Sequence, residues 1–235
     1  MQLFFDENIT GKKNHFLNEI DSYHAIKVLR KKQGDILDIT DGKGKHYKTQ
    51  IVLANPKKCS VNVLEEKLMP KNRDYFLHIA IAPPKNIDRF EWFVEKAVEI
   101  GIDKITPVIC RYSERKKIKT ERTEKIIISA MKQSLKFYKP QLEPIVKFED
   151  FVAQANADNK FIALCNSEKS FKNIRKYQKN IILIGPEGGF SSKEINFAKE
   201  NNYTAVKLSN SRLRTETAAV VSAASIAYYF LNFIE

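Results

Sequence analysis

Ile181-Ile182-Leu183-Ile184-Gly185-Pro186-Glu187-Gly188-Gly189-Phe190-Ser191-Ser192-Lys193-Glu194 decides how the chain is read. Four apolar, mostly β-branched residues predict a short buried strand. Pro186 fixes φ and has no N–H to donate, so the strand stops there. The glycines permit φ > 0 and leave bare backbone for another molecule to approach. Ser191, with Glu194 three residues later, is a capping box that opens a helix. The unit is strand, glycine loop, helix. The chain has eight glycines, and Gly185, Gly188 and Gly189 are three of them. A tight turn needs fewer. Two readings stand: a loop that holds a ligand on backbone N–H and C=O groups, or an ordinary βα loop. The stretch is neither a G-x-x-x-x-G-K-[ST] phosphate loop nor a G-x-G-x-x-G dinucleotide fingerprint.

Outward from this loop the pattern is strand alternating with helix. Residues 75–82 predict a strand that Pro83-Pro84 ends. Asp88 with Glu91 predicts a cap, and Phe90, Phe93, Val94, Ala97 and Val98 recur on one helical face as far as Gly101. Residues 105–109, 161–165 and 204–208 predict further strands. A last helix is expected over 215–233. This order predicts an open parallel α/β sheet, whose ligands bind beyond the C-terminal strand ends. Three such ends bring Leu164-Cys165-Asn166, residues 185–189 and residues 209–214 to one edge.

Residues 1 to about 70 read differently. Short strands at 3–5, 35–40, 47–52 and 59–64, with a turn at Asp41-Gly42-Lys43-Gly44, predict a small β-barrel. Between the first strands lies a short amphipathic helix over 23–32 whose end is rich in cations. These suit the helix dipole as well as they suit a phosphate. The charged, Pro70-bearing stretch 65–74 marks the boundary, giving domains 1–70 and 71–235.

Lys and Arg number 40 against 28 Asp and Glu, a net charge of +12. A polyanion, RNA or DNA first, is the expected partner. Residues 111–147 hold eleven Lys and Arg against four Glu, around a helix expected from about 121 to 138. A solvated helix face and an RNA-backbone surface both fit, the second with Phe137 and Tyr138 free to stack on bases. Cys59, Cys110 and Cys165 are far apart and odd in number, and no C-x-x-C pair exists. Neither a disulfide framework nor a zinc site is expected, and a reducing cytoplasm fits. The four histidines have no metal-ligand spacing. Asp6 and Glu7 interrupt the N-terminus before any hydrophobic core, so no secretory leader is expected. The alanine-rich stretch 217–234 suits a buried or interface helix rather than a membrane span.

Taken together, GPEGGFS-x-x-E at 185–194 and L-x-x-x-x-L-R-T-E-T-A at 208–218 resemble the SPOUT superfamily of knotted methyltransferases. The nearer resemblance is to its 16S ribosomal RNA uridine-N3 methyltransferase branch. Weaker matches lie in the same order along the chain: Phe4-Phe5, then His24 with Val28-Leu29-Arg30, then Lys96 to Gly101, then Gln133-Ser134. The resemblance implies a PUA-like RNA-binding barrel followed by a SPOUT α/β domain with a parallel sheet and a deep trefoil knot. It implies S-adenosylmethionine as methyl donor, 16S rRNA or the small ribosomal subunit as partner, a cytoplasmic homodimer, no membrane and no metal. Another SPOUT reaction, on a ribose 2′-OH or a tRNA base, and a non-catalytic rRNA-binding factor are the alternatives.

Residue by residue, the resemblance implies a donor site of Leu164, Cys165, Ile184, Gly185, Pro186, Glu187, Gly188, Leu208, Ser209, Asn210, Ser211 and Leu213. Arg214 is the expected stabiliser of the acceptor's developing charge. Glu216 is the expected proton acceptor or the group that orients Arg214, or else a carboxylate favouring the first turn of a helix. Arg30, Lys31, Lys116, Lys117, Arg122 and Lys136 are the expected RNA contacts. This chain departs from the family pattern at Ser209 and Ser211, where the family has a glycine and an arginine. Ser209 must therefore avoid left-handed backbone angles or bear strain.

Overall fold

The computed structural model describes residues 2–71, 73–171, 174–175 and 177–232, with Asn232 described by its backbone alone. The chain divides into two compact units, Met1–Asn72 with Met131–Lys139, and Arg73–Ala130 with Pro140–Glu235.

The first unit is built on five strands: β1 (Leu3–Phe5), β2 (Asn14–Phe16), β3 (Ile36–Thr40), β4 (Lys45–Leu53) and β5 (Ser60–Leu68). Their order is β1-β3-β4-β5-β2, with β1 parallel to β3 and the other pairs antiparallel. The outer strands β1 and β2 do not pair with each other. The five strands form a half-barrel, in keeping with the small PUA-like barrel expected from the strand pattern and the resemblance. Its inward positions Leu37, Ile39, Tyr47, Ile51 and Val61 are buried with Phe4, Ile9 and Leu17. The expected helix over 23–32 is instead α1 (Glu19–Tyr23), capped by the Asn18 side chain, followed by a π-helical turn (His24–Val28). It ends with Arg30 at φ 55°, left-handed backbone where glycine is the usual residue.

The segment 131–139 belongs to this unit, which the sequence boundary at 70 does not anticipate. Lys132 pairs with Asp21 at 2.9 Å. Phe137 lies tilted against His46, ring centroids 5.3 Å apart, and Tyr138 donates its hydroxyl to the Met69 carbonyl. The Tyr138 ring also covers Gly44 so closely that an added Cβ would lie 2.4 Å from it. These two rings are occupied within the unit, which corrects the expectation that they stack on RNA. The helix stops early for a local reason. Leu135 adopts φ 52°, so α3 runs only over Thr120–Gln133 and not to Tyr138.

The second unit is a sheet of seven strands. Along its main path the order is β12 (Thr204–Val206), β10 (Asn159–Ala163), β11 (Lys179–Ile184), β6 (Phe76–Ile81), β7 (Lys104–Ile109) and β8 (Gln141–Leu142), with β9 (Val146–Lys147) also on β7. All of these pairs are parallel. Strands β6 and β11 are buried almost throughout, as near-continuous apolar runs in a covered parallel sheet should be. Helix α2 (Ile87–Ile100) buries Phe90, Phe93, Val94, Ala97 and Val98, the face its periodicity predicts. Its cap is Asn86, whose side chain accepts from the Asp88 N–H; the expected Asp88 cap lies inside the first turn. Helix α4 (Phe148–Gln154) packs over β7, and α5 (Ser192–Glu200) opens with the Ser191–Glu194 capping box, both halves formed. Helix α6 (Thr215–Asn232) packs on α2 and on β6. Phe233, the expected last residue of this helix, lies outside the described residues. No helix among the described residues is long and apolar enough to cross a membrane.

Candidate active site

The C-terminal ends of β10, β11 and β12 lie side by side, so the segments leaving them share one edge. The glycine loop turns sharply there. Gly189 N–H donates to the Pro186 carbonyl at 2.8 Å, and Gly189 alone of the loop glycines has left-handed φ, at 74°. Gly185 and Gly188 serve space rather than backbone angle. A Cβ at Gly185 would meet the Phe190 ring at 3.0 Å, and one at Gly188 would meet Cβ of Tyr112 at 3.0 Å. The Glu194 carboxylate holds the far side: Oε2 accepts from Ser191 N–H and hydroxyl, and Oε1 accepts from Arg111 N–H. Bifunctional use of one buried carboxylate ties the helix start to the chain after β7.

The second loop, 208–214, is drawn against the first. Thr215, buried at the start of α6, donates its hydroxyl to the Gly185 carbonyl at 3.1 Å. Arg212 donates to the Glu187 carbonyl at 3.3 Å. Ser209 lies outside the left-handed region, and its hydroxyl accepts from Ser211 N–H at 3.1 Å. The two family departures thus make a short side-chain-supported turn without strain.

A cavity of about 600 Å³ lies between the loops. Its wall carries Leu164, Cys165, Ile184, Gly185, Pro186, Glu187, Gly188, Ser209, Asn210, Ser211, Leu213 and Arg214. An adjoining recess of about 60 Å³ adds Leu208. Every residue expected at the donor site therefore faces one connected space. The volume falls within the range of small-molecule sites, on the order of 300–1,000 Å³. The chemistry also fits a nucleoside: aliphatic side chains for a flat ring, and loop backbone for its polar edges. Arg214 stands exposed on the wall, and its guanidinium has no ion pair or hydrogen bond with any described residue.

Of its expected roles, Glu216 is placed for the third, a carboxylate in the first turn of a helix, and not for contact with Arg214. It is buried and is absent from the cavity wall. Its Oε1 lies 3.7 Å from Arg89 Nε on α2, and its Oε2 has no partner. The helical pitch explains this, since two residues beyond Arg214 the side chain points to the opposite side of α6's first turn. The carboxylate thus meets α2 rather than the acceptor or Arg214.

The expected RNA contacts divide as well. Arg30, Lys116 and Lys117 are exposed and Lys31 and Lys136 half-buried. Arg122 instead forks onto Glu91, with Nε 2.6 Å from Oε1 and Nη2 2.7 Å from Oε2. Sequence reading missed Thr215, Arg212 and Tyr112 as organisers of the loops. The Thr in R-T-E-T-A was visible, but its carbonyl partner 30 residues away was not. Among the described residues no group of three or more His, Cys, Asp or Glu is placed to hold a metal ion.

A second cavity, of about 460 Å³, opens near the N-terminal ends of β6 and β7. There His78 Nε2 lies 2.7 Å from the Thr106 hydroxyl, beside Lys104, Glu143 and Phe151. Burial, helped by the Lys104 charge, pushes the His78 imidazole down to about 3, so it is neutral at pH 7.

Comparison with known proteins agrees with this architecture. Residues 71–227 match the RNA methyltransferase domain model and residues 19–64 the RNA methyltransferase PUA domain model. A probable rRNA-methyltransferase from Porphyromonas gingivalis is 35% identical, with both chains covered in full and a TM-score of 0.93. The ribosomal RNA small subunit methyltransferase E of Neisseria gonorrhoeae, solved with S-adenosyl methionine bound, is 26% identical over 98% of both chains, TM-score 0.86. The ribosomal RNA small subunit methyltransferase E of Rickettsia conorii is 29% identical over 211 residues, covering 86% of this chain and 85% of its own. The chain therefore belongs to the RNA methyltransferase family, in the branch of the ribosomal RNA small subunit methyltransferases E.

Proposed function

We propose that the protein transfers a methyl group from S-adenosylmethionine to N3 of a uridine in 16S rRNA of the small ribosomal subunit. The observation that carries this reading is the single cavity closed by the two loops, with an unpaired arginine on its wall. Bound there, S-adenosylmethionine supplies an electrophilic methyl on a sulfonium. Leu208, Leu213 and Pro186 would hold its adenine, and the backbone of 185–188 and 209–211 would meet its polar edges. Arg214 then stands where the acceptor base enters. Uracil N3 becomes nucleophilic only as its proton leaves, and the negative charge spreads over O2 and O4. A permanently charged guanidinium presents a fork of donors to those oxygens and stabilises the charge as it forms. Glu187 is the one carboxylate among the described residues of the cavity wall, and its Oε1 already accepts the Lys85 N–H. The N3 proton must leave for that nitrogen to take the methyl. The target base must leave its stack to reach this position.

The working form we propose is a cytoplasmic homodimer. Along α6, Ala224, Tyr228 and Leu231 recur on one face and are exposed, an apolar stripe that a second copy can cover. The test of the reaction is direct. Labelled donor with small-subunit RNA or particles should yield 3-methyluridine. Arg214→Ala should lower turnover by roughly 10²–10³ while donor binding persists. Turnover unchanged by that substitution removes Arg214 from the chemistry, and a methyl found on a ribose removes the N3 assignment.

A further inference from the structure

The β6–α2 connection is held from two sides at one residue. The Lys85 N–H donates to Glu187 Oε1 of the glycine loop at 2.9 Å. The Lys85 carbonyl accepts from Arg115 Nη2 at 2.6 Å and Nε at 3.1 Å, and Arg115 Nε also reaches the Pro84 carbonyl at 3.1 Å. The Lys85 ammonium pairs with Glu114 at 2.8 Å. Residues 114–115 and the glycine loop therefore grip the same peptide from opposite ends of its hydrogen-bonding capacity.

Arg115 comes from a stretch with a different outlook. Arg111, Lys116, Lys117 and Lys119 are all exposed, and none of their side chains has an ion pair or hydrogen bond with a described residue. Four unneutralised cations within nine residues form a surface for a polyphosphate backbone. Arg115 alone of the basic residues here turns inward. Two more ties join this stretch to the donor loop: Arg111 N–H on Glu194, and the Tyr112 side chain against Gly188.

We infer that Arg115 is a positioning residue that couples RNA held on 111–119 to the donor loop, through the peptide of Lys85. The inference rests on the proposed function, since it takes the cavity as the donor site and RNA as the polyanion. RNA phosphates that settle on Lys116, Lys117 and Lys119 fix the backbone at 114–115. The Arg115 fork then fixes the carbonyls of 84 and 85, and the Lys85 N–H holds Glu187 and with it the turn 186–189. RNA and donor binding are thereby positively linked, and the link is reciprocal.

The experiment measures donor affinity by calorimetry, alone and with a saturating RNA fragment that bears the target uridine. In the wild type RNA should tighten donor binding on the order of tenfold, and donor should tighten RNA binding by the same factor. Arg115→Ala should bring both ratios close to one. Arg115→Lys keeps the charge but loses the fork, and should behave like Arg115→Ala; it is also the variant to use if the alanine protein does not fold. Lys116→Ala with Lys117→Ala should weaken RNA binding and also lower the ratio at saturating RNA, since two of the contacts that start the coupling are gone. A wild-type ratio in Arg115→Lys makes Arg115 a phosphate contact and overturns the inference. So does a wild type that binds donor and RNA without linkage, a result that leaves the proposed function standing. A wild type that binds no donor overturns both.

Discussion

Thr215→Val removes one atom's chemistry from the seam between the two loops. Threonine and valine have nearly the same shape, so no cavity opens and the β-branch at the helix start is kept. What disappears is the hydroxyl that donates to the Gly185 carbonyl at 3.1 Å. The bond itself contributes about 1 kcal/mol, and a part-buried carbonyl left without a donor costs about 1–3 kcal/mol. For a unit of this size each kcal/mol moves the midpoint by roughly 2–4 °C, so thermal unfolding should shift down by about 2–12 °C. The binding consequence follows from the loop's population. If the untied loop holds the closed shape only a fraction of the time, apparent affinity falls by that fraction. A loss of 1–3 kcal/mol sets this at roughly five- to a hundredfold weaker donor binding, since 1.4 kcal/mol is tenfold. Calorimetric titration with S-adenosylmethionine reads it directly, with Thr215→Ser as the control that retains the hydroxyl. Valine and serine variants with the same wild-type donor affinity would refute the claim that this hydrogen bond shapes the site.

Gly44→Ala should destabilise the first unit by about 2–4 kcal/mol, because φ is 103° and the new Cβ would lie 2.4 Å from the Tyr138 ring. Denaturant unfolding checks it; a loss under about 0.5 kcal/mol would show that the ring moves aside freely. Asp103→Ala should cost about 3–5 kcal/mol, since it takes the carboxylate partner from Arg73, 2.8 Å from Nη2, and leaves the buried Leu77 N–H, now bound at 2.9 Å, without its acceptor. A melting temperature near wild type would contradict that accounting. His78 sets a pH dependence. The unfolded imidazole takes a proton below about 6.5, whereas the folded one resists until about 3. The unfolded state therefore binds more protons in this window, and the stability is full above 6.5 and drains away as pH falls toward 3. Between pH 7 and pH 5 the loss should be about 2 kcal/mol, at about 1.4 kcal/mol per unit below 6.5. His78→Gln should flatten this slope; the same slope in both proteins would place its origin elsewhere.

What could be read from the sequence was what is local. The Ser191–Glu194 box joins residues three apart, and the α2 face joins residues three and four apart, so both showed in the letters. The cap of α2 was misplaced by two residues because Asn86 and Asp88 are equally able acceptors, and only backbone geometry chooses Asn86. The residues that line the cavity were legible through a resemblance of two motifs, while the reason those motifs meet lies in strand order. Arg89 meets Glu216 across 127 residues, and nothing in either neighbourhood announces the pair. Phe137 and Tyr138 sit among cations and read as an RNA platform. Their occupation by His46 and Gly44 is a tertiary fact. Strands β8 and β9 have two residues each, too few to show any period.

The position of β11 in its sheet has a consequence for how the molecule is made. Residues 179–184 sit between β6 and β10, so a central member of the sheet is synthesised about 100 residues after its neighbour β6. During translation β6 waits with one flank unsatisfied and β10 with both, since its other neighbour β12 comes later still, and no arrangement of the earlier residues can stand in for the missing strands. Maturation is therefore gated late, and the same event that seals the middle of the sheet swings the glycine turn into place. A nascent polypeptide cut short before residue 179 would be left with the open edge of β6 and an unpaired β10, and should be a strong client of holding chaperones.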